Sequence, residues 1–342
     1  MENLAFSFNK INDNFYQIDG KEVIIIDETV NKIPFVSVTM ITYNHGDFIE
    51  EAIKGVVMQK TSFYFNLIIG DDNSNDNTRE IILKYQKLYP EIIILKLPLS
   101  NLGVNVNSLS NNLFCTGKYV AICEGDDYWI DENKLEIQAL FLENNQDYVF
   151  CFHNAITSNN DDPFKAKNFV EIESDSEFGL DLFMERNIVP TASVVYQKEF
   201  ALNLPYWFNY VLYGDYAIYL YILYTSKKKS YYFSNTMSVY RVHNRGIFSS
   251  LNNAEGKILK NINLLQLYFF FYNYVFTGKD KRLLKNIISF WQISLLFLLI
   301  KQKNYIKILS SLFYLIYFNP FYIVKKIISR IFLFFKKILC LK

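Results

Sequence analysis

The sequence predicts an α/β protein, in which helices flank a mainly parallel central sheet, followed by a helical C-terminal extension. Short apolar, β-branched runs alternate with longer stretches whose apolar residues recur at helical spacing. Acid-rich polar segments follow three of these strand-like runs, where a parallel sheet binds its ligands. The 342 residues are 51% hydrophobic and 20% charged, so the composition excludes a disordered or collagen-like chain.

The predicted elements begin at residue 36. The run VSVTMIT (36–42) predicts a buried strand, and the apolar spacing over 48–59 predicts a helix. LIIG (67–70) predicts a second strand, and Asp76 or Asn77 can cap the helix that follows it. The remaining predictions are the strands EIIILKL (91–97) and KYVAIC (118–123), the helix KLEIQALFLENN (134–145) and the strand YVFCF (148–152).

Three polar loops are predicted to meet at one edge of this sheet. They are YNHGD (43–47), DDNSND (71–76) and EGDDYW (124–129). Ligands bind at the carboxyl ends of the strands in such sheets, so the three loops predict a site. The sequence contains neither GxGxxG nor GxxxxGK[ST], so this site does not hold phosphates through a glycine-rich helix start.

The acidic loop after the fourth strand predicts a metal site. Glu124, Asp126 and Asp127 are close neighbours in sequence, and clustered carboxylates raise one another's pKa unless a cation joins them. Mg²⁺ and Mn²⁺ take oxygen ligands, commonly one or two carboxylates together with substrate phosphates. The alternative is a solvated acidic turn that caps a helix. The second aspartate pair, Asp71 and Asp72, on a neighbouring loop favours the metal.

Six segments resemble family 2 glycosyltransferases with the GT-A fold, the first three of them that family's nucleotide-sugar-binding half. They are VSVTMITYNHGDFIEEAIKGVVMQ, LIIGDDNSNDNT, NLGVNVNSLSNNLFCTGKYVAICEGDDYW, IVPTASVVY (188–196), YGDYAIYL (213–220) and YRVHNRGIFS (240–249). The segments keep the family's order. The resemblance implies a GT-A catalytic domain over 34–250, with an N-terminal extension (1–33) before it and a helical region (251–342) after it.

The resemblance implies a site for a uridine-type nucleoside. Thr42, Tyr43, Asp71 and Asp72 stand at the family's nucleoside-binding positions. A carboxylate suits that task, because it accepts hydrogen bonds from base N–H groups and from ribose hydroxyls.

EGDD stands at the family's D-x-D-like metal motif. Asp126 and Asp127 are therefore the implied ligands of Mn²⁺ or Mg²⁺, which bridges the donor's diphosphate. Glu124 stands where the family often has Asp, and its longer side chain leaves open whether it contacts the donor or the metal. Arg241 and His243 are implied contacts of the diphosphate or the metal. For His243, a polar loop role is the alternative.

Asp215, in YGDY, stands where the resemblance implies the general base. An acceptor hydroxyl has a pKa far above neutrality, so a carboxylate takes its proton as it attacks the anomeric carbon. In-line attack then inverts the anomeric configuration. The alternative for Asp215 is a cap for the helix-like run YAIYLYIL, which is compatible with catalysis. Four residues are implied to line an acceptor or sugar pocket, with packing as the alternative for the tryptophans: Trp129, Thr191, Ser193 and Trp207.

The C-terminal region is basic and apolar. Residues 257–342 hold fifteen Lys or Arg but one acid, Asp280, although the whole chain has a net charge of +1. The longest uncharged windows are 261–278, 286–300 and 308–324, and none makes a convincing membrane span of about 20 residues.

On a helical wheel, the basic residues of Phe321–Leu339 occupy one arc and the apolar residues the other. This pattern is typical of a helix that lies in an anionic membrane interface, and the alternative is a helix packed on the catalytic body. No secretory signal opens the chain, and its four cysteines lack metal-ligand spacing. The sequence therefore predicts a cytoplasmic protein, peripheral on the inner face of the cytoplasmic membrane.

The sequence thus predicts an inverting, metal-dependent glycosyltransferase that takes a nucleotide-diphosphate sugar, with UDP-sugars favoured, and an acceptor in a surface glycan or glycolipid. A nucleotidyltransferase usually has a glycine-rich phosphate loop near the first strand, and a glycoside hydrolase needs neither nucleotide nor metal. A non-catalytic, membrane-associated sugar-binding protein has no need of Asp126, Asp127 and Asp215. Basic residues interleaved with aliphatic runs argue against nucleic acid as a partner.

Overall fold

A computed structural model describes residues 6–29, 32–159, 162–246, 251–302 and 307. The chain divides into two compact units between His243 and Asn244. Among the described residues, the first unit contains one sheet with its helices, and the second unit contains two long helices.

The described strands are β1 (Phe8–Lys10), β2 (Phe15–Ile18), β3 (Lys21–Ile26), β4 (Val36–Thr42), β5 (Phe65–Asp71), β6 (Ile93–Pro98), β7 (Tyr119–Ile122), β8 (Tyr128–Trp129), β9 (Tyr148–Asn159), β10 (Asp162–Asn168), β11 (Ser176–Phe178), β12 (Val195–Gln197) and β13 (Lys229–Val242). The helices of the first unit are α1 (Ile49–Val57), α2 (Thr78–Leu88), α3 (Val104–Phe114), α4 (Lys134–Asn144), α5 (Leu180–Glu185) and α6 (Gly214–Ser226). Short 3₁₀ helices cover Thr191–Ser193, Lys198–Ala201 and Tyr206–Tyr210.

Four neighbouring parallel strands form the centre of the sheet, in the order β6-β5-β4-β7. They are the first four of the five strands that the sequence predicts, and the fifth (148–152) lies within β9. β5 and β6 are buried along their whole length, with β4 nearly so. Near-continuous apolar, β-branched runs suit strands that are covered by helices on both faces. The predicted α/β class and parallel central sheet are confirmed.

Antiparallel strands extend the sheet on both sides. The hairpin strands β1–β3 join at β6, and β12 joins β7 to β9. The three strands of the predicted N-terminal extension (1–33) therefore belong to the same sheet as the catalytic domain's strands. The long strand β13 runs parallel to β9 and pairs antiparallel with β8 and β11.

The predicted helices form, and two unpredicted helices of the first unit, α3 and α5, join them. α1 buries Ile49, Ile53 and Val56 against the sheet, as its apolar spacing predicts. The α2 start is stabilised by Asp76, whose Oδ1 accepts hydrogen bonds of 3.0 Å from Thr78 N and 2.5 Å from Thr78 Oγ1. Of the two capping candidates, Asp76 therefore supplies the side chain. Helix α3 was not predicted, because its buried face is rich in Asn and Ser.

The second unit contains α7 (Ala254–Tyr274) and α8 (Gly278–Lys301). Among the described helices, α8 is the one that is long and apolar enough to cross a membrane. A core helix of a soluble protein can meet the same criterion. This differs from the expectation that the apolar window 286–300 is too short, because the helix extends beyond that window. The window 308–324 and the predicted amphipathic helix Phe321–Leu339 lie outside the described residues.

Candidate active site at the carboxyl edge of the sheet

The two aspartates after β5 have different surroundings. Asp71 is fully buried, and its Oδ2 accepts a 2.6 Å hydrogen bond from Arg79 Nε, while Ser74 bonds its Oδ1. Its partners tie the end of β5 to the loop before α2 and to α2 itself. Asp71 therefore holds this loop in shape with both of its oxygens.

Asp72 accepts hydrogen bonds from the backbone at the start of α3. Its Oδ1 accepts a 2.6 Å bond from Leu102 N, and its Oδ2 accepts a 3.0 Å bond from Gly103 N. Burial raises the pKa of Asp72, and the two amide donors act against that rise. Each oxygen keeps a second lone pair, so the carboxylate can still accept hydrogen bonds from a ligand.

The end of β4 lies beside Asp72. Thr42 O accepts a 2.9 Å hydrogen bond from Asp72 N, and Gly125 N bonds the carbonyl of Ile41. Thr42 Oγ1 is buried and has no hydrogen-bond partner among the described residues. Tyr43 next to it is 43% exposed. The first, second and third polar loops are thus joined at one edge, as predicted for a ligand site.

Asp126 faces two imidazoles. Its Oδ2 lies 3.1 Å from His243 Nε2 and 3.8 Å from His45 Nε2. Burial acts to raise the pKa of Asp126, but the bond with His243 and the nearby His45 outweigh it, so the pKa is lowered. Asp126 is therefore the carboxylate of this loop that most readily carries a negative charge.

Asp127 bonds to the backbone of β13. Its Oδ1 accepts a 2.8 Å bond from Arg241 N, and its Oδ2 is buried without a hydrogen-bond partner in the described part of the chain. Burial and the charge of Asp126 raise its pKa well above the usual value. An unsatisfied buried carboxylate oxygen requires a proton or a cation.

The guanidinium of Arg241 is engaged by protein groups. It donates a 2.9 Å bond to Asp126 O and pairs with Glu51, which lies on α1. It also lies 4.3 Å from the ring centre of Tyr128 and 5.3 Å from that of Phe48. Arg241 therefore stabilises the acidic loop. Its contact with the donor's diphosphate stays a prediction.

Asp215, at the start of α6, lies near the acidic loop although it is distant in sequence. Its Oδ1 accepts a 2.7 Å bond from Tyr216 N, and its Oδ2 accepts a 2.9 Å bond from Thr191 Oγ1. Burial raises the pKa of Glu124 well above its usual value, and the charges of Asp126, Asp127 and Asp215 raise it further. Four carboxyl groups from two segments thus share one site.

A sequence model described as "Glycosyl transferase family 2" matches residues 37–203, which include both aspartate-rich loops. Residues 37–203 of the chain therefore belong to this family. The predicted family is thereby confirmed.

Two curated relatives illustrate the similarity of this family 2 chain to known proteins. An uncharacterized protein of Mycobacterium tuberculosis is 33% identical over 215 residues, which are 63% of this chain and 60% of that protein. The chain thus spans less than two thirds of this mycobacterial relative. The relative named GalNAc(5)-diNAcBac-PP-undecaprenol beta-1,3-glucosyltransferase, of Campylobacter jejuni, is 24% identical over 82% of this chain and 88% of its own length.

Solved glycosyltransferase structures share the fold. The mannosyltransferase PcManGT of Pyrobaculum calidifontis, solved with GDP-Man and Mn²⁺, aligns with a TM-score of 0.56 at 16% identity, over 80% of this chain and 73% of that one. TarS of Staphylococcus aureus, solved with UDP-GlcNAc, aligns with a TM-score of 0.55 at 16% identity, over 75% and 71%. The predicted GT-A type fold of this family 2 chain is confirmed.

The site of this family 2 chain has the donor chemistry for a divalent cation. No cluster of three or more His, Cys, Asp or Glu side chains with metal-binding geometry occurs among the described residues. However, Mg²⁺ and Mn²⁺ are commonly held by one or two carboxylates and by substrate phosphates. The Asp126 carboxylate, the adjacent His243 imidazole and the unsatisfied Oδ2 of Asp127 fit such an ion.

The expectation that Trp129 and Trp207 line a sugar pocket is wrong. Each indole is only 1% exposed, so neither offers a face to a sugar. Trp129 Nε1 donates a 2.7 Å bond to Ala192 O, and the Trp207 ring stacks on Phe208. Both rings pack inside the protein, which is the more frequent role of buried aromatics.

The two hydroxyl residues predicted for this pocket differ in position. Ser193 is fully buried, and its Oγ donates a 2.6 Å bond to Pro190 O, so it stabilises the 3₁₀ turn. Thr191, two residues earlier, bonds Asp215 instead of facing the sheet interior. Only Thr191 lies at the catalytic carboxylate predicted from the sequence.

Three residues at or near the site were missed by sequence reasoning: Glu51, Lys96 and Tyr240. Glu51 contacts the site through its ion pair with Arg241. Lys96 is fully buried, and a lysine inside an apolar strand, as in ILKLP, is the signal that could have identified it. Tyr240 has a raised pKa because it is buried beside the acidic loop and Asp215. No sequence signal distinguishes Tyr240 from the other tyrosines.

Proposed function

We propose that this family 2 chain is an inverting glycosyltransferase, which moves a sugar from a nucleotide-diphosphate donor to an acceptor hydroxyl. The observation that carries the proposal is the shared site of the acidic loop and Asp215. Asp126 is charged beside two imidazoles, while Asp215 is near enough to raise the pKa of Glu124. A donor-binding centre and a separate carboxylate base are the two groups that sugar transfer to a hydroxyl requires.

The nucleoside is proposed to bind between the ends of β4 and β5. Asp72 accepts hydrogen bonds from the base or the ribose through its second lone pairs, and buried Thr42 offers an unpaired hydroxyl beside it. Exposed Tyr43 lies next to Thr42 and covers the base, while Asp71 holds the loop. We favour a UDP-sugar, and the UDP-GlcNAc bound to TarS supports a uridine donor.

The donor's diphosphate is proposed to bind at the acidic loop. Asp126, Asp127 and His243 hold Mn²⁺ or Mg²⁺ there, and the Mn²⁺ in PcManGT supports a divalent ion in this fold. When bound, the ion supplies positive charge that offsets the charge on the departing diphosphate. Arg241 keeps the loop in place through its bond to Asp126 O, and the charge of Asp215 acts on Glu124 of the same loop.

The acceptor hydroxyl is proposed to give its proton to Asp215. The carboxylate is partly buried and oriented by Thr191 and Tyr216 N, so one face of it remains for the acceptor. Attack from this side, opposite the leaving diphosphate, inverts the anomeric carbon. A base held in one orientation by two donors loses little freedom when the acceptor binds.

The acceptor is proposed to be a lipid-linked or surface glycan at the inner face of the cytoplasmic membrane. The Campylobacter relative is named for an undecaprenol-linked substrate, which supports this class of acceptor. The apolar helix α8 and the basic C-terminal region favour contact with anionic lipid. We propose residues 34–250 as the catalytic domain, 1–33 as its extension and 251–342 as the membrane-associated region.

The proposal is tested by calorimetric titration with a panel of nucleoside diphosphates, with and without Mn²⁺. We expect Mn²⁺-dependent binding of one diphosphate, UDP first, which Asp126→Ala weakens at least about tenfold because the charged ligand is lost. Trp129→Phe, which changes a fully buried ring, serves as the control. Failure of every diphosphate to bind, with or without the metal, would contradict the proposal and favour a non-catalytic sugar-binding protein.

A further inference from the structure

Lys96 is fully buried within the central sheet. It lies on β6, directly opposite Gly70 of β5 in the parallel register. A Cβ atom at position 70 would lie 3.0 Å from Lys96 Cε and 2.7 Å from Asn107 Oδ1. The glycine therefore leaves the space through which the lysine side chain reaches α3.

The ammonium group of Lys96 is bound by α3. Its Nζ donates a 2.7 Å bond to Asn107 O and a 2.5 Å bond to Ser110 Oγ. Asn107 Nδ2 in turn donates a 2.9 Å bond to Gly70 O. The first turn of α3 is thus fixed to β5 and β6 by polar groups inside the core, where an unpaired group is costly.

The start of the same turn is hydrogen-bonded to Asp72. Asn107 N bonds Gly103 O at 2.9 Å, and Gly103 N bonds Asp72 Oδ2 at 3.0 Å. Gly103 has a φ of +86°, which residues with a side chain rarely adopt, so the chain turns into α3 at this point. A negative carboxylate at a helix N-terminus is favourable, and the positive charge of Lys96 also favours the charged form of Asp72.

We propose that Lys96 is a positioning residue for the nucleoside site, because it holds the first turn of α3, and the two amides that directly precede this helix orient the Asp72 carboxylate. This inference rests on the proposed function, in which Asp72 accepts hydrogen bonds from the donor's base or ribose. Loss of the Lys96 contacts frees Asn107 and lets the Leu102 and Gly103 amides move. Donor binding, and not the chemistry at Asp215, then suffers.

The test compares Lys96→Met with Lys134→Met, a matched control. Both lysines are fully buried, but Lys134 Nζ lies 4.0 Å from the ring centre of Trp129 and has no hydrogen-bond partner among the described residues. We expect Lys96→Met to raise the dissociation constant of the preferred nucleoside diphosphate and the donor KM about tenfold. The turnover number and the acceptor KM of Lys96→Met should stay within about twofold of wild type. All four constants of Lys134→Met should also stay within about twofold of wild type.

Wild-type nucleotide affinity in a folded Lys96→Met variant would overturn the inference, as would a loss of turnover with unchanged donor affinity. If Lys96→Met does not fold, Ser110→Ala decides, because it removes one of the two Lys96 acceptors. We expect Ser110→Ala to weaken the diphosphate about threefold, and unchanged affinity would again overturn the inference. A wild-type protein that binds no nucleotide would instead overturn the proposed function on which the inference rests.

Discussion

The Oγ1 atom of Thr191 donates a 2.9 Å hydrogen bond to Oδ2 of Asp215, which joins a 3₁₀ turn to the start of α6. The other oxygen of Asp215 accepts a bond from Tyr216 N. Burial raises the pKa of Asp215, and both hydrogen bonds oppose that rise because they favour the charged form. Thr191 is therefore the side chain that keeps the proposed base deprotonated and oriented.

Thr191→Val should move the acidic limb of the pH profile to higher pH. A base acts when deprotonated, so activity is lost as the pH falls through the pKa of Asp215. Without the Thr191 bond that pKa rises further, and Thr191→Ser should restore the wild-type profile. The measurement is kcat/KM against pH for the three proteins. Superimposable wild-type and Thr191→Val profiles would show that Thr191 does not act on the base.

Trp129→Phe should destabilise the fold without changing donor affinity. The substitution leaves Ala192 O, a buried acceptor, without its 2.7 Å bond, which costs about 1–3 kcal/mol. Because the ring is buried, no sugar contact is lost. Urea unfolding and nucleotide calorimetry measure the two quantities, and Phe200→Leu, away from the site, is a suitable control. Weakened donor binding at unchanged stability would return Trp129 to the sugar pocket.

Stability should rise with pH between about 7 and 9 because of the buried lysines. Burial lowers the pKa of Lys134 in the folded protein to about 7, from 10.5 in the unfolded chain. Between these values the unfolded chain binds more protons, so the free energy of unfolding increases with pH. Lys134→Met should reduce this slope by up to about 1.4 kcal/mol per pH unit, measured by urea unfolding at several pH values. Equal slopes would show that Lys134 keeps its charge in the folded protein and that burial does not lower its pKa.

The full chain should bind anionic vesicles at low salt. Residues 257–342 carry fifteen basic residues and one acid, and each basic residue near an anionic surface contributes about 1 kcal/mol. Changing Lys325, Lys326 and Arg330 to Glu should weaken sedimentation with phosphatidylglycerol vesicles at least tenfold, since the attraction is electrostatic. Neutral phosphatidylcholine vesicles are the control. Equal binding to both vesicle types would favour insertion through apolar contacts alone.

The elements that the sequence predicts are those whose pattern is local. The run 36–42 is rich in apolar and β-branched residues, and it forms a buried parallel strand. Helix α3 was missed because Asn107, Ser110 and Asn111 lie on its buried face. Hydropathy treats these residues as exposed, whereas in the structure they bond sheet carbonyls and Lys96.

The chemistry of the site was predictable to a similar extent. The acidic loop and Asp215 come together as the resemblance implies, since motif order and strand ends determine which loops meet. The bonding partners of individual side chains, in contrast, are residues that are distant in sequence. Arg241 pairs with Glu51, and Trp129 bonds Ala192 O, and neither contact has a local signature. Such residues are predicted by type but not by role.

The measurement that tests the central claim most directly is release of nucleoside diphosphate by wild type and by Asp215→Asn. A panel of nucleotide sugars is supplied with Mn²⁺ and a bacterial lipid-linked acceptor extract. We predict transfer by the wild type from one donor, and a loss of about 10²–10⁴-fold in Asp215→Asn with nucleotide binding retained. Wild-type transfer by Asp215→Asn would contradict the assignment of the base. A wild type that binds its nucleotide but transfers from no donor would contradict the proposed activity.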